Sequence, residues 1–258
     1  MSAATGEPPF LRLRDVAKSF GGVEALRGAS LEVRRGEVVA LVGDNGAGKS
    51  TLIKTVTGVH RPDSGTVEIE GRAVSIGHPD VAKRLGIEAI YQDLALVGTF
   101  DLGANFFLGR EPTRRILGGL IEVLDRRRMR EEAVALLRQR VGIRMGNPYS
   151  PAYVMSGGQR QAIAIGRALH ADARLVIMDE PTAALGVEET ERVMGIVETL
   201  RGQGLAVLVI SHNLEHVFRV ADRIAVMHRG TVSAVLRREE TTRAEIVGLI
   251  MGSRIAAA

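Results

Sequence analysis

Cysteine and tryptophan are absent from the 258 residues of this chain, and aromatic residues make up 3% of it. Without cysteine the chain has no disulfide bond, no thiol nucleophile and no cysteine-bound metal. Scarce aromatic residues argue against a nucleic-acid interface, which commonly stacks bases on aromatic rings beside clustered basic residues. The net charge of +4 is mild and comes mostly from arginine. We therefore expect no nucleic-acid partner.

Long hydrophobic runs are absent as well. A helix that crosses a bilayer needs roughly 20 apolar residues. The apolar run at 205–210 is short and rich in β-branched residues, which predicts a buried strand. Residues 1–9 lack the basic start and apolar stretch of a signal peptide. We expect a cytoplasmic address, with flexible ends at 1–9 and 253–258.

The composition is that of a folded globular chain, with 45% hydrophobic and 25% charged residues. Alternating apolar residues predict β-hairpin structure near Leu11 and Val33, and the continuous apolar run at 38–42 predicts a strand covered on both faces. Between 93 and 155, proline and glycine interrupt a helical pattern, and 126–141 is predicted as one amphipathic helix. Strands and helices alternate after 156. This alternation predicts an α/β fold with a mainly parallel sheet.

A glycine-rich loop follows the predicted strand at 38–42. It fits the pattern G-x-x-x-x-G-K-[ST] without a mismatch, through Gly43, Asp44, Asn45, Gly46, Ala47, Gly48, Lys49 and Ser50. Glycines let backbone N–H groups turn towards phosphate oxygens, Lys49 reaches the β- and γ-phosphates, and the Ser50 hydroxyl ligates Mg²⁺. The alternative is a glycine-rich turn with an incidental lysine. The loop lies between a predicted strand and a predicted helix, and this context favours nucleotide binding. The helix begins at Lys49 and includes Thr51.

Two carboxylates end another apolar strand, at Asp179 and Glu180. In phosphate-loop proteins an Asp at such a strand end holds Mg²⁺, and we expect its strand to lie beside the strand of the loop. Glu180 would face the attacking water as general base. A polar strand end that caps the next helix is the alternative. The pairing with Lys49 and Ser50 favours catalysis.

A third motif opens the helix that is predicted to run to His170. Ser156 can cap this helix, and Gly157 and Gly158 leave backbone N–H groups exposed at its start, which makes an anion site. Together with Gln159 and the Asp-Glu-Pro that follows, this segment resembles the signature motif of the ATP-binding-cassette (ABC) ATPases. The resemblance extends from Phe10 to Gly252.

The resemblance implies a phosphate-loop (RecA-like) core with an N-terminal antiparallel β subdomain and a helical insertion. The domain would span 10–252, with the β subdomain and phosphate loop in 10–92, the insertion in 93–155 and the rest of the core in 156–252. It also implies that two copies sandwich two ATP molecules. Ser156, Gly157, Gly158 and Gln159 of one copy would then contact the ATP held by the other copy.

Further roles follow from the resemblance alone. Phe20 would stack on adenine, with a core phenylalanine as the alternative. Gln92 would contact Mg²⁺ together with Ser50 and Asp179. His212 would contact the γ-phosphate and position Glu180, so that Glu180, His212, Gln92 and Lys49 form the catalytic set. The remaining histidines match no motif and are predicted to be structural: His60, His78, His170, His216 and His228.

Two positions depart from the family pattern. Met155 replaces the commonest leucine, an exchange that conserves volume. Gly186 stands where many members have an aspartate that couples the two ATP sites, which puts this coupling in doubt. Neither change removes a predicted contact to phosphate, metal or water.

Within the family, the chain is similar to ATPases of bacterial importers for ribose, xylose and fructose. The cues lie at 56–65, 91–94, 107–111, 181–186 and 249–252. One cassette is present in this sequence, as in fructose-type importers, so the resemblance implies a homodimer or a pairing with another cassette. It also implies a position on the cytoplasmic face of the inner membrane, with permease subunits as direct partners and a periplasmic sugar-binding protein as an indirect one.

Two alternatives stay open. A soluble ABC ATPase that acts on DNA or ribosomes usually has a long coiled-coil insertion or two linked cassettes. A non-catalytic regulatory cassette would be expected to lack Glu180 or His212, and both are present. The arginine-rich stretch at 126–130 is predicted to be a solvated helix face, with lipid head groups as the weaker option.

Overall fold

The computed structural model describes residues 7–183 and 185–252. Flexible ends were predicted at 1–9 and 253–258, and of these 1–6 and 253–258 lie outside this range, whereas Pro9 is buried. The strands are β1 (Leu11–Phe20), β2 (Val23–Val33), β3 (Val38–Gly43), β4 (Ser64–Ile69), β5 (Arg72–Val74), β6 (Ile87–Ile90), β7 (Thr113–Ile116), β8 (Ile121–Leu124), β9 (Leu175–Asp179), β10 (Ala206–Ile210), β11 (Arg223–His228) and β12 (Thr231–Arg237).

The α-helices are α1 (Lys49–Val56), α2 (Pro79–Arg84), α3 (Leu102–Phe106), α4 (Arg126–Leu136), α5 (Gly157–His170), α6 (Val187–Gly202), α7 (Leu214–Val220) and α8 (Arg243–Ile250). Short 3-10 turns cover Leu117–Gly119, Ala152–Val154 and Arg238–Glu240, and a π-helical turn covers Leu137–Val141.

The central sheet has six strands in the order β12-β11-β3-β10-β9-β6. All are parallel except β12, which pairs antiparallel with β11. β3 and β10 are apolar along their length and almost fully buried, because helices cover both faces of the sheet. This arrangement confirms the predicted α/β class. It also aligns the carboxyl ends of five parallel strands along one edge.

A second, antiparallel sheet forms near the N-terminus in the order β2-β1-β4-β5. Leu11 of β1 lies opposite Val33 of β2 and Ile69 of β4, and all three side chains are buried. Their cluster continues onto α1 and one face of the central sheet. The β subdomain and α1 therefore share one core.

The sequence predicted a helical insertion at 93–155, but this segment is only partly helical. It contains α3 and α4, but β7 and β8 form an antiparallel hairpin between them. Gly118 and Gly119 make the turn with φ of 66° and 97°, values that favour glycine. The predicted helix at 126–141 is also wrong in detail, since α4 ends at Leu136 and a π-helical turn continues to Val141.

Several peripheral elements were not predicted at all, namely α2, α8 and β12. In the part of the chain that the structure describes, no helix is long and apolar enough to cross a membrane. The domain limits at 92 and 155 stay predictions.

Candidate nucleotide site

The phosphate loop leaves the sheet at the end of β3 and enters α1. Gly48 has φ of 106°, and a Cβ atom there would lie 2.6 Å from the carbonyl oxygen of Ala25. Glycine is therefore required at this position by backbone conformation and by space. Because Gly48 precedes the first residue of α1, the N–H groups of the first helical turn face the same side as the loop.

Lys49 folds back over this loop. Its Nζ donates to the carbonyl oxygens of Gly43, at 2.7 Å, and Asp44, at 2.9 Å. Burial lowers the pKa of Lys49, while the charges of Glu180, Asp44 and Asp179 act to raise it. Lys49 is thus half-buried and held by two backbone carbonyl oxygens, and the charges of three carboxylates act on it from further away.

The order of the strands brings the other predicted residues to the same edge. β10 pairs with β3, placing Ile210 opposite Leu41, and β9 pairs with β10, placing Asp179 opposite Ile210. Gln92 follows β6, which pairs with β9 on its far side. The expectation that the aspartate strand adjoins the loop strand is wrong: β10 lies between them.

Asp179 is the last residue of β9 and is half-buried. Burial raises its pKa, the neighbouring charge of Glu180 adds to this effect, and Lys49 and Lys54 oppose it. Two adjacent carboxylates at a partly buried strand end favour a bound cation. This excess of negative charge fits the Mg²⁺ ion that the sequence predicts for Ser50, Gln92 and Asp179.

Glu180 and His212 meet above the ends of β9 and β10. His212 Nδ1 lies 2.8 Å from Glu180 Oε1, with the histidine side chain 75% exposed and the glutamate side chain 18% exposed. Glu180 has φ of 51°, an uncommon conformation for this residue type, and its N–H donates to the carbonyl of Ile210 at 2.9 Å. The backbone thus aims the carboxylate away from the strand direction and towards His212.

Gln92 and Phe20 both lie at the surface. Gln92 is exposed in the loop that follows β6, next to Tyr91, whose hydroxyl lies 3.1 Å from that of Thr57. Phe20 ends β1 with 43% of its surface exposed, and its ring forms a T-shaped pair with the His60 ring at 4.9 Å between centroids. Their predicted contacts to metal and adenine stay predictions.

Sequence reasoning missed the role of Arg167, on α5. Its guanidinium donates to the carbonyl oxygens of Leu94, at 3.1 Å, and Ala95, at 3.3 Å. Burial lowers the pKa of Arg167, with Glu88 opposing this effect. Helix α5, called the signature helix because it begins at the signature motif, therefore holds the loop that begins at Gln92. The sequence carries no local signal for this contact, because the partners are more than 70 residues apart.

The start of α5 is capped reciprocally. The Ser156 side chain accepts from the N–H of Gln159, and the Gln159 side chain accepts from the N–H of Ser156. A Cβ atom on Gly157 would lie 2.4 Å from Leu185, so the glycine allows the segment before α6 to pack closely here. Gln159 is occupied in this capping box.

Glu189 also lies at this helix start and was not predicted from the sequence. A hydrogen bond from the Ser156 hydroxyl holds its pKa below the usual range, and backbone N–H groups of Gly186, Gly158 and Gly157 add to the effect. The Gly186 N–H lies 3.4 Å from a carboxylate oxygen of Glu189, which is the half of a capping box that glycine can form. Because the capping-box pattern requires Ser or Thr at the first position, the sequence carried no such signal for Glu189.

The two departures from the family pattern have plain structural consequences. Met155 is buried in the largest core cluster, as expected of an apolar exchange. Gly186 is exposed at the start of α6 and has no side chain to reach another residue. Among the other histidines, His170 packs against Phe106 and Phe107, consistent with its predicted structural role.

A glycine-rich loop that leads into α1, two carboxylates at a strand end and a capped glycine pair are the features expected of an ATP-binding cassette. A family model described as ABC transporter matches residues 26–183, and the chain belongs to this family. A nucleotide-free ATP-binding cassette from an ABC transporter matches its fold with a TM-score of 0.79 at 27% identity, over 95% of this chain and 96% of that one.

Two relatives are more similar in sequence. The xylose/arabinose import ATP-binding protein XylG of Sulfolobus acidocaldarius is 47% identical over 92% of both chains. The ribose import ATP-binding protein RbsA 1 of Streptomyces coelicolor is 46% identical over 96% of this chain. This chain spans 48% of that protein, about half its length.

Proposed function

We propose that this chain is the ATP-hydrolysing subunit of a membrane importer for a sugar. The observation that carries hydrolysis is the 2.8 Å contact between His212 and Glu180, at the same edge of the sheet as the loop that Lys49 folds over. The sugar is inferred from the two relatives described as import proteins for xylose/arabinose and ribose. Fructose or another monosaccharide is compatible with the same subunit.

The phosphate loop and α1 would bind the triphosphate of ATP. Backbone N–H groups from Gly43 to Thr51 surround the phosphates, and the positive end of the α1 dipole adds to their attraction. Lys49 exchanges its two carbonyl contacts for the β- and γ-phosphates. Phe20 has the exposed ring surface on which adenine can stack.

Mg²⁺ is the cation that this site fits. The Ser50 hydroxyl, the Gln92 side chain and the Asp179 carboxylate would hold it. Burial and the adjacent charge of Glu180 raise the pKa of Asp179, and a bound cation would offset both effects. When bound, it neutralises charge on the phosphates. Three protein ligands would suffice, because Mg²⁺ would complete its coordination with waters and phosphate oxygens.

Glu180 would act as general base. Its carboxylate accepts a proton from the water that attacks the γ-phosphorus, while the bond from phosphorus to the ADP oxygen breaks. His212 holds Glu180 in position and contacts the γ-phosphate. Lys49 stabilises the negative charge of the transferring group.

A second copy would complete each site. The N–H groups of Gly157 and Gly158 and the Ser156 hydroxyl lie at the start of a helix of 14 residues, which suits an anion supplied by another chain. We propose that ATP closes two copies head to tail and that hydrolysis reopens them.

The membrane partner would dock in the groove between core and insertion. The groove has a volume of about 420 Å³, and its walls include Ile87 and Glu88 from the core side and Phe106, Leu108 and Arg110 from the insertion. The carboxyl group of Glu88 in this wall is partly buried, and this burial raises its pKa. A change at Gln92 would reach a docked permease through this groove, on the cytoplasmic face of the membrane.

Replacement of Glu180 by glutamine tests the hydrolytic assignment. We expect Glu180→Gln to keep ATP affinity but to lower turnover about 100-fold or more, because the base is lost while the binding surface stays. Lys49→Ala should weaken both ATP binding and turnover. Phosphate release and equilibrium binding of labelled ATP measure these effects. Near-normal hydrolysis by Glu180→Gln would contradict the assignment.

The transport assignment needs a separate experiment. The tagged full chain is extracted from native membranes in mild detergent, and its co-purifying proteins are identified. We expect a stoichiometric partner with many membrane spans. Recovery with ribosomes or nucleic acid instead would replace the importer proposal and leave the ATPase assignment intact.

A further inference from the structure

His216 contacts both loops that carry the proposed catalytic pair. One loop follows β9 and contains Glu180 and Thr182. The other follows β10 and contains His212 and Asn213. Because β9 and β10 are parallel neighbours, the two loops leave the sheet side by side. Their direct contact is the 2.8 Å interaction of His212 with Glu180.

The second contact between these loops passes through the His216 ring. Its Nδ1 lies 3.0 Å from the hydroxyl oxygen of Thr182, and its Nε2 lies 3.3 Å from the side-chain nitrogen of Asn213. Thr182 is buried with 9% of its surface exposed, and His216 is half-buried in the first turn of α7. A single ring thus contacts a residue two positions after Glu180 and the residue that follows His212.

The hydrogen bonds around Asn213 show which atom of its side-chain amide faces the His216 ring. The Asn213 side-chain oxygen accepts from the backbone N–H groups of Glu215, at 2.9 Å, and His216, at 3.4 Å. The Asn213 nitrogen is therefore the group that faces the ring, and it donates to Nε2. A neutral imidazole with the proton on Nδ1 satisfies both contacts, since Nδ1 then donates to Thr182.

We propose that His216 is a positioning residue for ATP hydrolysis, which fixes the spacing between the Glu180 loop and the His212 loop. This role rests on the proposed function of Glu180 and His212. The ring does not reach the nucleotide in this assignment and acts through the two loops. Its loss lets the loops separate, which lengthens the contact between His212 and Glu180 and misplaces the base.

The test uses the full chain and three variants. We expect His216→Ala to lower kcat roughly 10- to 100-fold, the size of effect that misplacement of a catalytic group produces. KM and the Kd of ATP should stay within about twofold, because the phosphate loop is untouched. His216→Asn retains a donor at the position of Nδ1 and should recover part of kcat. His78→Ala is the matched control, since His78 also bonds at a helix start but caps α2.

A double-mutant cycle distinguishes positioning from general packing. If His216 acts through His212, the variant His212→Ala/His216→Ala should be no slower than His212→Ala alone. Two losses that multiply would overturn the proposal. So would an unchanged kcat in His216→Ala, or a parallel loss of kcat and ATP affinity. Should His216→Ala fail to fold, His216→Asn carries the same cycle.

Failure of the positioning role of His216 can be distinguished from failure of the proposed ATPase function. An inactive wild-type chain, or an active Glu180→Gln variant, would contradict the ATPase assignment itself. A wild-type chain that depends on Glu180 but not on His216 contradicts the positioning role alone.

Discussion

Asp179 lies in an environment that favours its protonated form. It is half-buried at a strand end, and burial together with the adjacent Glu180 raises its pKa. A carboxylate in this setting costs stability in the protein without nucleotide. Sites that bind a cation commonly carry such a cost, because the charge that binds the ligand is unfavourable on its own.

Replacing Asp179 by asparagine should therefore stabilise the nucleotide-free protein and abolish hydrolysis. We expect the melting temperature of Asp179→Asn to exceed that of the wild type by a few degrees at neutral pH. The folded state holds the proton more tightly than the unfolded chain, so the cost of the charged form disappears as pH falls through the raised pKa. The advantage of asparagine should shrink on acidification. An advantage that grows in acid would contradict this account.

Glu189 presents a negative charge where the partner's γ-phosphate is expected. It lies beside Ser156 and the N–H groups of Gly157 and Gly158. In the Glu180→Gln background, we expect Glu189→Gln to lower the ATP concentration for dimerisation severalfold, because one repulsive charge is removed. Light scattering during ATP titration measures this midpoint.

The control for this effect is the adjacent residue. Glu188 is on the same helix, and its side chain is 88% exposed beside Arg192. Glu188→Gln changes the net charge equally and should leave the midpoint unchanged. Equal shifts in both variants would indicate a long-range charge effect rather than a contact at the signature helix.

At the scale of the elements, replacing a glycine by alanine is expected to have opposite effects on stability in two of the helices. Gly195 in α6 has open space where a Cβ atom would lie, whereas a Cβ atom on Gly166 in α5 would lie 2.6 Å from Leu137 and 2.9 Å from Phe106. These two neighbours are almost fully buried. Substitution by alanine at these two positions therefore distinguishes the effect of helix propensity on stability from the effect of core packing.

We expect Gly195→Ala to stabilise the protein by about 0.5–1 kcal/mol, since alanine loses less backbone entropy in a helix. Gly166→Ala should destabilise it by about 1–3 kcal/mol, because the core at the contact of α5 with α3 must shift. Urea unfolding of both variants measures the difference. Equal effects would show that packing around α5 is looser than these distances indicate.

The elements that hold the site were predictable because their patterns are local. Apolar runs predicted β3, β9 and β10, and the glycine loop and Ser156 predicted the starts of α1 and α5. The β7–β8 hairpin was missed although Gly118-Gly119 between apolar residues is a hairpin signal, because the surrounding pattern was interpreted as an interrupted helix.

The geometry within the site was less accessible. The strand order that inserts β10 between β3 and β9 depends on chain topology, which periodicity does not encode. The left-handed backbone of Glu180 and the contacts of Arg167 and His216 depend on tertiary neighbours far along the chain. Resemblance to a family supplied residue roles, and the structure supplied their relative positions.

At the scale of the whole molecule, the proposed site is divided between two copies. Lys49 and Glu180 belong to one half, and Ser156 belongs to the half that the partner supplies. Each half can therefore be inactivated separately. The resemblance to the family implies that position 186 commonly holds an aspartate that couples the two sites, and Gly186 has no side chain for that contact. We therefore predict that each site hydrolyses ATP independently.

Mixing two inactive variants tests this arrangement. Lys49→Ala and Ser156→Arg should each be inactive alone, since every site in either homodimer has one defect. In an equal mixture half of the dimers are mixed, and each of these has one intact site, so activity should recover to about one quarter of the wild type. Phosphate release as a function of mixing ratio measures the recovery.

A second mixture provides the control. Lys49→Ala and Glu180→Gln alter the same half of the site, so no pairing of these two variants restores an intact one. We expect that mixture to stay inactive at every ratio. Recovery of activity in the control mixture, or no recovery in the first mixture, would contradict this arrangement, in which each site is shared by two copies and the two sites act independently. The pattern expected here, recovery in one mixture and not in the other, assigns Ser156 to the opposite half from Lys49 and Glu180.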